Sequence, residues 1–289
     1  MKIEKICVVG SGLMGGGIAQ VFAQAGMTVI LQDENPEALR KAEKNIGWSV
    51  GKLIEKGKLA EAKETVLGRI GYSEDLSEAA SADLAVEAVF EDLAVKQALF
   101  RRLDEICGPE TCLASNTSTL PITELGAATR RPEKVLGLHF FNPVPMMRAV
   151  EVIRGVSTAE ETMQIGIAVV DALGKVPIRV ESDLPGFLLN RINLVSYVEA
   201  IQLLERGIGT VEDIDRGVRL AFGRPMGPFE TGDMVGLDVS YHALKAIYEE
   251  SRDDRYHPPQ LLKRKVTAGH LGRKTGRGWY RYDENGDRR

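Results

Sequence analysis

Residues 5–15 read Lys-Ile-Cys-Val-Val-Gly-Ser-Gly-Leu-Met-Gly, an apolar run that ends in three glycines spaced G-x-G-x-x-G. The run is apolar on successive residues rather than alternating, the pattern of a strand buried on both faces of a parallel sheet. A helical pattern over 16–25 follows. The spacing alone occurs in many glycine-rich turns; placed between a strand and a helix it gains a specific meaning. Gly10 permits a tight turn, Gly12 lets the backbone approach a pyrophosphate, and Gly15 lets the helix lie close to the strand. The helix N-terminus then presents unpaired N–H groups to the phosphates. Gly10, Gly12, Leu13, Met14, Gly15 and Gly17 are therefore the candidate cofactor-binding positions. Asp33 ends the next apolar run, where an acidic side chain accepts hydrogen bonds from the adenosine ribose. Its charge repels a ribose phosphate, so NAD is expected rather than NADP.

Working outward, further apolar runs occur at 29–31, 84–89, 113–114, 135–138, 150–153 and 176–180, with helical patterns such as 95–106 and 160–173 between them. Strand–helix alternation predicts a doubly wound α/β domain of Rossmann type. One connection is too long for a simple crossover. From Pro36 to about Gly71 the pattern is helical and rich in lysine and glutamate, with Gly57 as a break, and it reads as a helical hairpin inserted in the domain. The segment 182–186, Ser-Asp-Leu-Pro-Gly, marks a boundary between residues 1–184 and 185–289. Beyond it, Leu188, Ile192, Val195, Val198, Ile201 and Leu204 recur at helical steps. Thr210 followed by Asp213 resembles a capping box ahead of a second helix, and Leu237, Tyr241, Leu244 and Tyr248 outline a third. The C-terminal domain is expected to be all helical.

The bulk properties narrow the function. The 289-residue chain is 44% hydrophobic and 27% charged, with a formal net charge of −4. A mildly acidic chain lacks the positive field of a nucleic-acid binder. No apolar run reaches the roughly 18 residues of a membrane span, and the N-terminus passes straight into the first strand without the long apolar stretch of a signal peptide. Cys7, Cys107 and Cys112 have no metal-like or CxxC spacing, so a reducing, cytoplasmic setting and no metal are expected.

His139 ends the apolar run of Gly137-Leu138-His139-Phe140-Phe141-Asn142-Pro143, and strand C-termini are where open α/β sheets bind ligands. Glu151 sits inside the next apolar run, where a lone carboxylate is costly and calls for a partner. A His–Glu pair suits metal-free alcohol oxidation: the imidazole takes the hydroxyl proton as hydride leaves the adjacent carbon, and the carboxylate fixes the tautomer. Spacing alone allows either residue to be a satisfied structural group. Ser115-Asn116-Thr117-Ser118-Thr119 follows another strand end; it reads equally as a cap for the next helix. Asn190, near the start of the first C-terminal helix, is on spacing alone more simply a buried polar contact between domains.

Taken together, the segments GSGLMGGGIAQ, VEAVFED, SNTSTL, GLHFFNPVPMMRAVEV, LPGFLLNRI, GRPMGPFETGDMVGLD and RKTGRGWYRY resemble the short-chain 3-hydroxyacyl-CoA dehydrogenase family, which includes 3-hydroxybutyryl-CoA dehydrogenases. The resemblance spans essentially the whole chain. It implies that His139 is the base and Glu151 its partner, with Ser118 and Asn190 near the reacting hydroxyl and the thioester carbonyl. By the same likeness Glu91, Lys96, Ser118, Asn142 and Lys274 line the NAD site. Ser49 and Lys56 in the hairpin meet the CoA, with Lys52 and Lys58 as lesser helpers; lysine is a flexible point-charge partner for its phosphates. The likeness also implies a homodimer through the C-terminal domain. Two competing readings are a 3-hydroxyacid or sugar-acid dehydrogenase acting without CoA, which works with a catalytic lysine, and a noncatalytic NAD-binding protein of the kind reused as a lens crystallin.

Overall fold

The computed structural model describes residues 3–289, which divide after Leu184 into two compact units. The first contains β1 (Lys5–Val9), α1 (Leu13–Gln24), β2 (Thr28–Gln32), α2 (Pro36–Glu55), α3 (Lys63–Leu67), β3 (Ile70–Ser73), β4 (Leu84–Glu87), α4 (Leu93–Ile106), β5 (Cys112–Ser115), α5 (Ile122–Gly126), β6 (Val135–Phe140), β7 (Ala149–Ile153), α6 (Glu160–Ala172) and β8 (Val176–Val180). The strands form one sheet in the order β3-β2-β1-β4-β5-β6-β7-β8. Every neighbouring pair is parallel except β6 and β7. This is the expected doubly wound sheet. The central strands are buried along nearly their full length, which is why their sequences run apolar on successive residues.

Two features depart from the expectation. The stretch read as a helical hairpin to about Gly71 does hold two helices, of 20 and 5 residues, but its end is the edge strand β3. β3 reads Ile-Gly-Tyr-Ser and pairs only with β2, so a single apolar residue and a glycine gave no strand signal. Gly57 does break the long helix, with φ of +64°. Asn35 caps α2, accepting from the backbone N–H of Glu37 at 2.9 Å. The second departure is the reversed direction of β7. Only residues 141–148 separate it from β6, too few for the crossover that a parallel neighbour needs.

The core of this unit packs one face of the sheet against α1, α2, α3 and α6. Ile18 and Phe22 of α1 pack with Leu31, Val86 and Phe140, and the Phe22 and Phe140 rings meet edge to face at 6.4 Å. Cys7, Cys107 and Cys112 are all buried. Burial pushes the Cys7 thiol up to about 12 and the Cys107 thiol up to about 11, and raises that of Cys112 as well. Thiolate is therefore scarce at neutral pH. Native protein is expected to take up no iodoacetamide while urea-unfolded protein labels at all three positions. Mass spectrometry decides, and native labelling at the unfolded rate would contradict it.

The second unit is helical: α7 (Leu189–Glu205), α8 (Val211–Phe222), α9 (Pro228–Val235), α10 (Leu237–Ser251) and α11 (Gln260–Thr267). Thr210 caps α8, its hydroxyl accepting from the Asp213 N–H at 3.1 Å. Two buried aspartates organise the rest. Asp215 accepts from the N–H groups of Phe229 and Glu230 at 2.9 and 3.0 Å and from the Tyr280 hydroxyl at 2.7 Å. Asp233 accepts from the N–H groups of Trp279 and Tyr280 and from the Tyr282 hydroxyl. The carboxylates thus hold the C-terminal segment against α8 and α9, a structural reason for the polar residues in GRPMGPFETGDMVGLD and the aromatics of RGWYRY.

Candidate active site

β1 lies between β2 and β4, and the chain leaves β1 to one side and returns to the other. The crevice at their carboxyl ends is the topological switch point where such sheets take ligands. The glycine loop sits there. Gly10 has φ of +98°, and a Cβ on it would lie 2.6 Å from the Ala88 carbonyl oxygen; one on Gly15 would collide with the Gly10 carbonyl. Both glycines are required by the protein's own packing. Gly12 is different. Its backbone is ordinarily extended, at φ −61° and ψ −171°, and a Cβ on it would meet nothing within 4 Å. The protein's own packing therefore does not require glycine here, and the open space leaves room for a ligand to approach the backbone. The first turn of α1 also carries no side-chain cap, so its N–H groups are available to an anion. The loop fits a dinucleotide on both counts. Gly12→Val is expected to leave the melting temperature unchanged and weaken NADH binding at least about tenfold, or about 1.4 kcal/mol. A fluorescence titration showing native affinity would remove the loop from the cofactor site.

Around the loop, Asp33 Oδ2 accepts from both the N–H and the hydroxyl of Ser11 at 2.8 Å, and its Oδ1 accepts from the Asn35 N–H at 2.9 Å. Leu13 (75% exposed) and Phe90 (86% exposed) stand at the carboxyl ends of the strands, whereas Met14 packs partly on the core. Gly17 has a packing reason of its own, since a Cβ there would lie 2.9 Å from that of Val144.

Next to the switch point is a buried ionic chain. Lys96, from α4, is 1% exposed, and its Nζ lies 2.5 Å from Glu87 Oε1 and 3.1 Å from Glu91 Oε2. Glu87, at the end of β4, is fully buried; it also accepts from the Ser115 hydroxyl at 2.6 Å and from the Val89 N–H at 2.7 Å. Glu91 Oε1 accepts from the Thr117 hydroxyl at 2.5 Å, the Ser118 N–H at 2.9 Å and the Thr119 N–H at 3.3 Å, with the Ser118 hydroxyl at 3.5 Å. Burial pushes the Glu91 carboxyl up, but the Lys96 charge and the Thr117 and Ser118 hydrogen bonds outweigh it and hold the group below its usual range. The structure thus brings Glu91, Lys96 and Ser118 together, bound to one another. Glu87 was not among the candidates from sequence, although an acid inside the apolar run of VEAVFED is the same signal that marked Glu151.

The 116–119 turn is tied to β6 as well. Asn116 Oδ1 accepts from the Phe140 N–H at 2.9 Å, immediately after His139. On β6 and β7, His139 and Glu151 are direct cross-strand partners, so their side chains share one face. His139 Nδ1 is 2.6 Å from Glu151 Oε2, with both side chains buried. The Phe141 ring lies 4.4 Å from the imidazole, centroid to centroid. A carboxylate on Nδ1 favours the tautomer with its proton there, leaving Nε2 as the basic nitrogen.

The other candidates lie on distinct elements. Asn142 precedes Pro143 in the segment after β6, through a cis peptide bond. Ser49 is on α2, Lys56 caps its C-terminal end, and Lys52 pairs with Glu55 at 2.6 Å; Lys58 follows exposed. Asn190 is in the first turn of α7, and Lys274 pairs with Asp238 at 2.7 Å within the second unit.

Comparison with known proteins gives the family. Residues 5–184 match the 3-hydroxyacyl-CoA dehydrogenase NAD binding domain, and residues 186–282 match the C-terminal domain of the same family. A probable 3-hydroxybutyryl-CoA dehydrogenase of Deinococcus radiodurans is 46% identical over 96% of this chain and 100% of its own length. The human mitochondrial hydroxyacyl-coenzyme A dehydrogenase is 42% identical over 97% of this chain and 91% of its own. The crystal structure of an (S)-3-hydroxybutyryl-CoA dehydrogenase from Ralstonia eutropha superposes with a TM-score of 0.93 at 39% identity, covering 98% of this chain and 100% of that one. The glycine loop, the switch point and these matches define an NAD-dependent oxidoreductase. Within that class the chain belongs to the 3-hydroxyacyl-CoA dehydrogenase family.

Proposed function

We propose that the enzyme oxidises short-chain (S)-3-hydroxyacyl-CoA, such as 3-hydroxybutyryl-CoA, to the 3-oxoacyl-CoA, reversibly, with His139 as base. The observation that carries the reading is the buried 2.6 Å contact between His139 Nδ1 and Glu151. It leaves Nε2 to take the hydroxyl proton, while the carboxylate compensates the imidazolium that forms. Bound NAD supplies the hydride acceptor. Ser118 and Asn190 orient the hydroxyl and the thioester carbonyl. Asp33 takes the adenosine ribose; Glu91, Lys96, Asn142 and Lys274 line the cofactor. Ser49 and Lys56, with Lys52 and Lys58 beside them, meet the phosphorylated end of CoA. The short acyl chain follows the named relatives from Deinococcus radiodurans and Ralstonia eutropha. Homodimerisation through the second unit is supported by the exposed Ile208, Leu220 and Phe222 on and beside α8. The proposed site of action is the cytoplasm; no helix among the described residues is long and apolar enough to cross a membrane.

The test is NADH production across a panel of 3-hydroxyacyl-CoAs of increasing chain length, including a dicarboxylic one, beside free 3-hydroxy acids. Highest kcat/KM on 3-hydroxybutyryl-CoA is expected. Turnover of the free acids without any on the thioesters would overturn the reading.

A further inference from the structure

Glu87 lies on β4, which pairs with β1 and β5 and not with the strands that carry the His–Glu pair, yet both of its oxygens lead to the turn that carries Ser118. Through Oε2 it accepts from the Ser115 hydroxyl at 2.6 Å, and the Ser115 oxygen in turn accepts from the Thr117 N–H at 3.1 Å. Through Oε1 it binds the Lys96 ammonium at 2.5 Å. That ammonium reaches Glu91 Oε2 at 3.1 Å, and Glu91 Oε1 accepts from the Thr117 hydroxyl and the Ser118 N–H. Glu87 and Lys96 are among the most buried charged residues of the protein. A lone buried ammonium loses its hydration and is held only by compensating carboxylates. Both arms end on the turn at residues 117 and 118.

We propose that Glu87 is a positioning residue of the dehydrogenase: with Lys96 it fixes Glu91 and Ser115, and through them the geometry of Ser118. The proposal rests on the reading in which Ser118 meets the substrate. It assigns Lys96 to clamping two carboxylates. The physical requirement is an acceptor at both oxygens of residue 87. A glutamine of the same shape has one oxygen and one amide N–H₂ group. If the amide faces Lys96, two donors oppose each other; if it faces Ser115, that hydroxyl must turn away from its present acceptor. Either choice loosens one arm.

The experiment is a double-mutant cycle on kcat/KM for 3-hydroxybutyryl-CoA, using Glu87→Gln, Ser118→Ala and both together. Glu87→Gln is expected to lower kcat/KM by about 10- to 100-fold, the scale of an ångström's misplacement in an active site. Because it acts through Ser118, the double variant should be no slower than Ser118→Ala alone, within about twofold. Losses that multiply would overturn the proposal, and so would native activity in either single variant. Should Glu87→Gln fail to fold, Ser115→Ala, which cuts the other arm and leaves the buried ion pair in place, takes its position in the same cycle; native activity in that variant also overturns the proposal. Turnover of the thioester by the unaltered enzyme reports separately on the function.

Discussion

His139→Ala lowers kcat by about 100- to 10,000-fold, the contribution of a positioned general base, while NADH still binds with near-native affinity. The expectation follows from where the residue lies. The imidazole stands on β6, one residue before its end, and the glycine loop is built by β1 and α1, so the alanine variant removes proton transfer without touching the phosphate cradle. Glu151→Gln sharpens the argument. The glutamine keeps the shape, but its amide can donate to Nδ1, which favours the tautomer with the proton on Nε2 and leaves no basic nitrogen for the hydroxyl. A loss of similar order is expected, with the fold intact. Steady-state assays with 3-hydroxybutyryl-CoA, beside a fluorescence titration of NADH, separate the two effects. Full turnover by His139→Ala would remove the histidine from the mechanism.

Lys96→Met destabilises the first unit by about 3–5 kcal/mol, the cost of leaving a buried carboxylate without its counter-charge. Glu87 is fully buried and its Oε1 lies 2.5 Å from the lysine. The Ser115 and Val89 hydrogen bonds remain in the variant, but they are formed with neutral donors. Methionine fills most of the volume of the lysine stem, so lost packing contributes little and the effect is electrostatic. Adding Glu87→Gln is therefore expected to restore most of the loss. Guanidinium unfolding gives the measurement. A midpoint for Lys96→Met equal to that of the unaltered protein would show that the pair carries no such weight.

Much of this protein is legible along the chain. The first strand, its glycines and the helix after them define the cofactor loop within residues 5–24, because each signal is local: burial on both faces, a tight turn, a helical period. Glu151 declared its need for a partner by standing as an acid in an apolar strand. The same logic applies to Glu87, an acid at the end of the apolar run of β4, whose partners lie on other elements. β3 was hidden because an edge strand buries one side only and needs few apolar residues.

What the sequence determined by itself is the class: an alternating α/β domain, an NAD-binding loop, a helical C-terminal part and a family likeness spread over the whole chain. The tertiary structure decided which residues meet. The reversal of β7 is the instance that matters most, since it sets Glu151 opposite His139 rather than on a remote strand. The short 141–148 connection accounts for the reversal, but which strands pair, and in what register, is settled by contacts between segments and by no local preference of φ, ψ or hydropathy. The clamp on Ser118 likewise assembles residues 87, 91, 96 and 115–119, three separate elements whose only common property is the crevice they share.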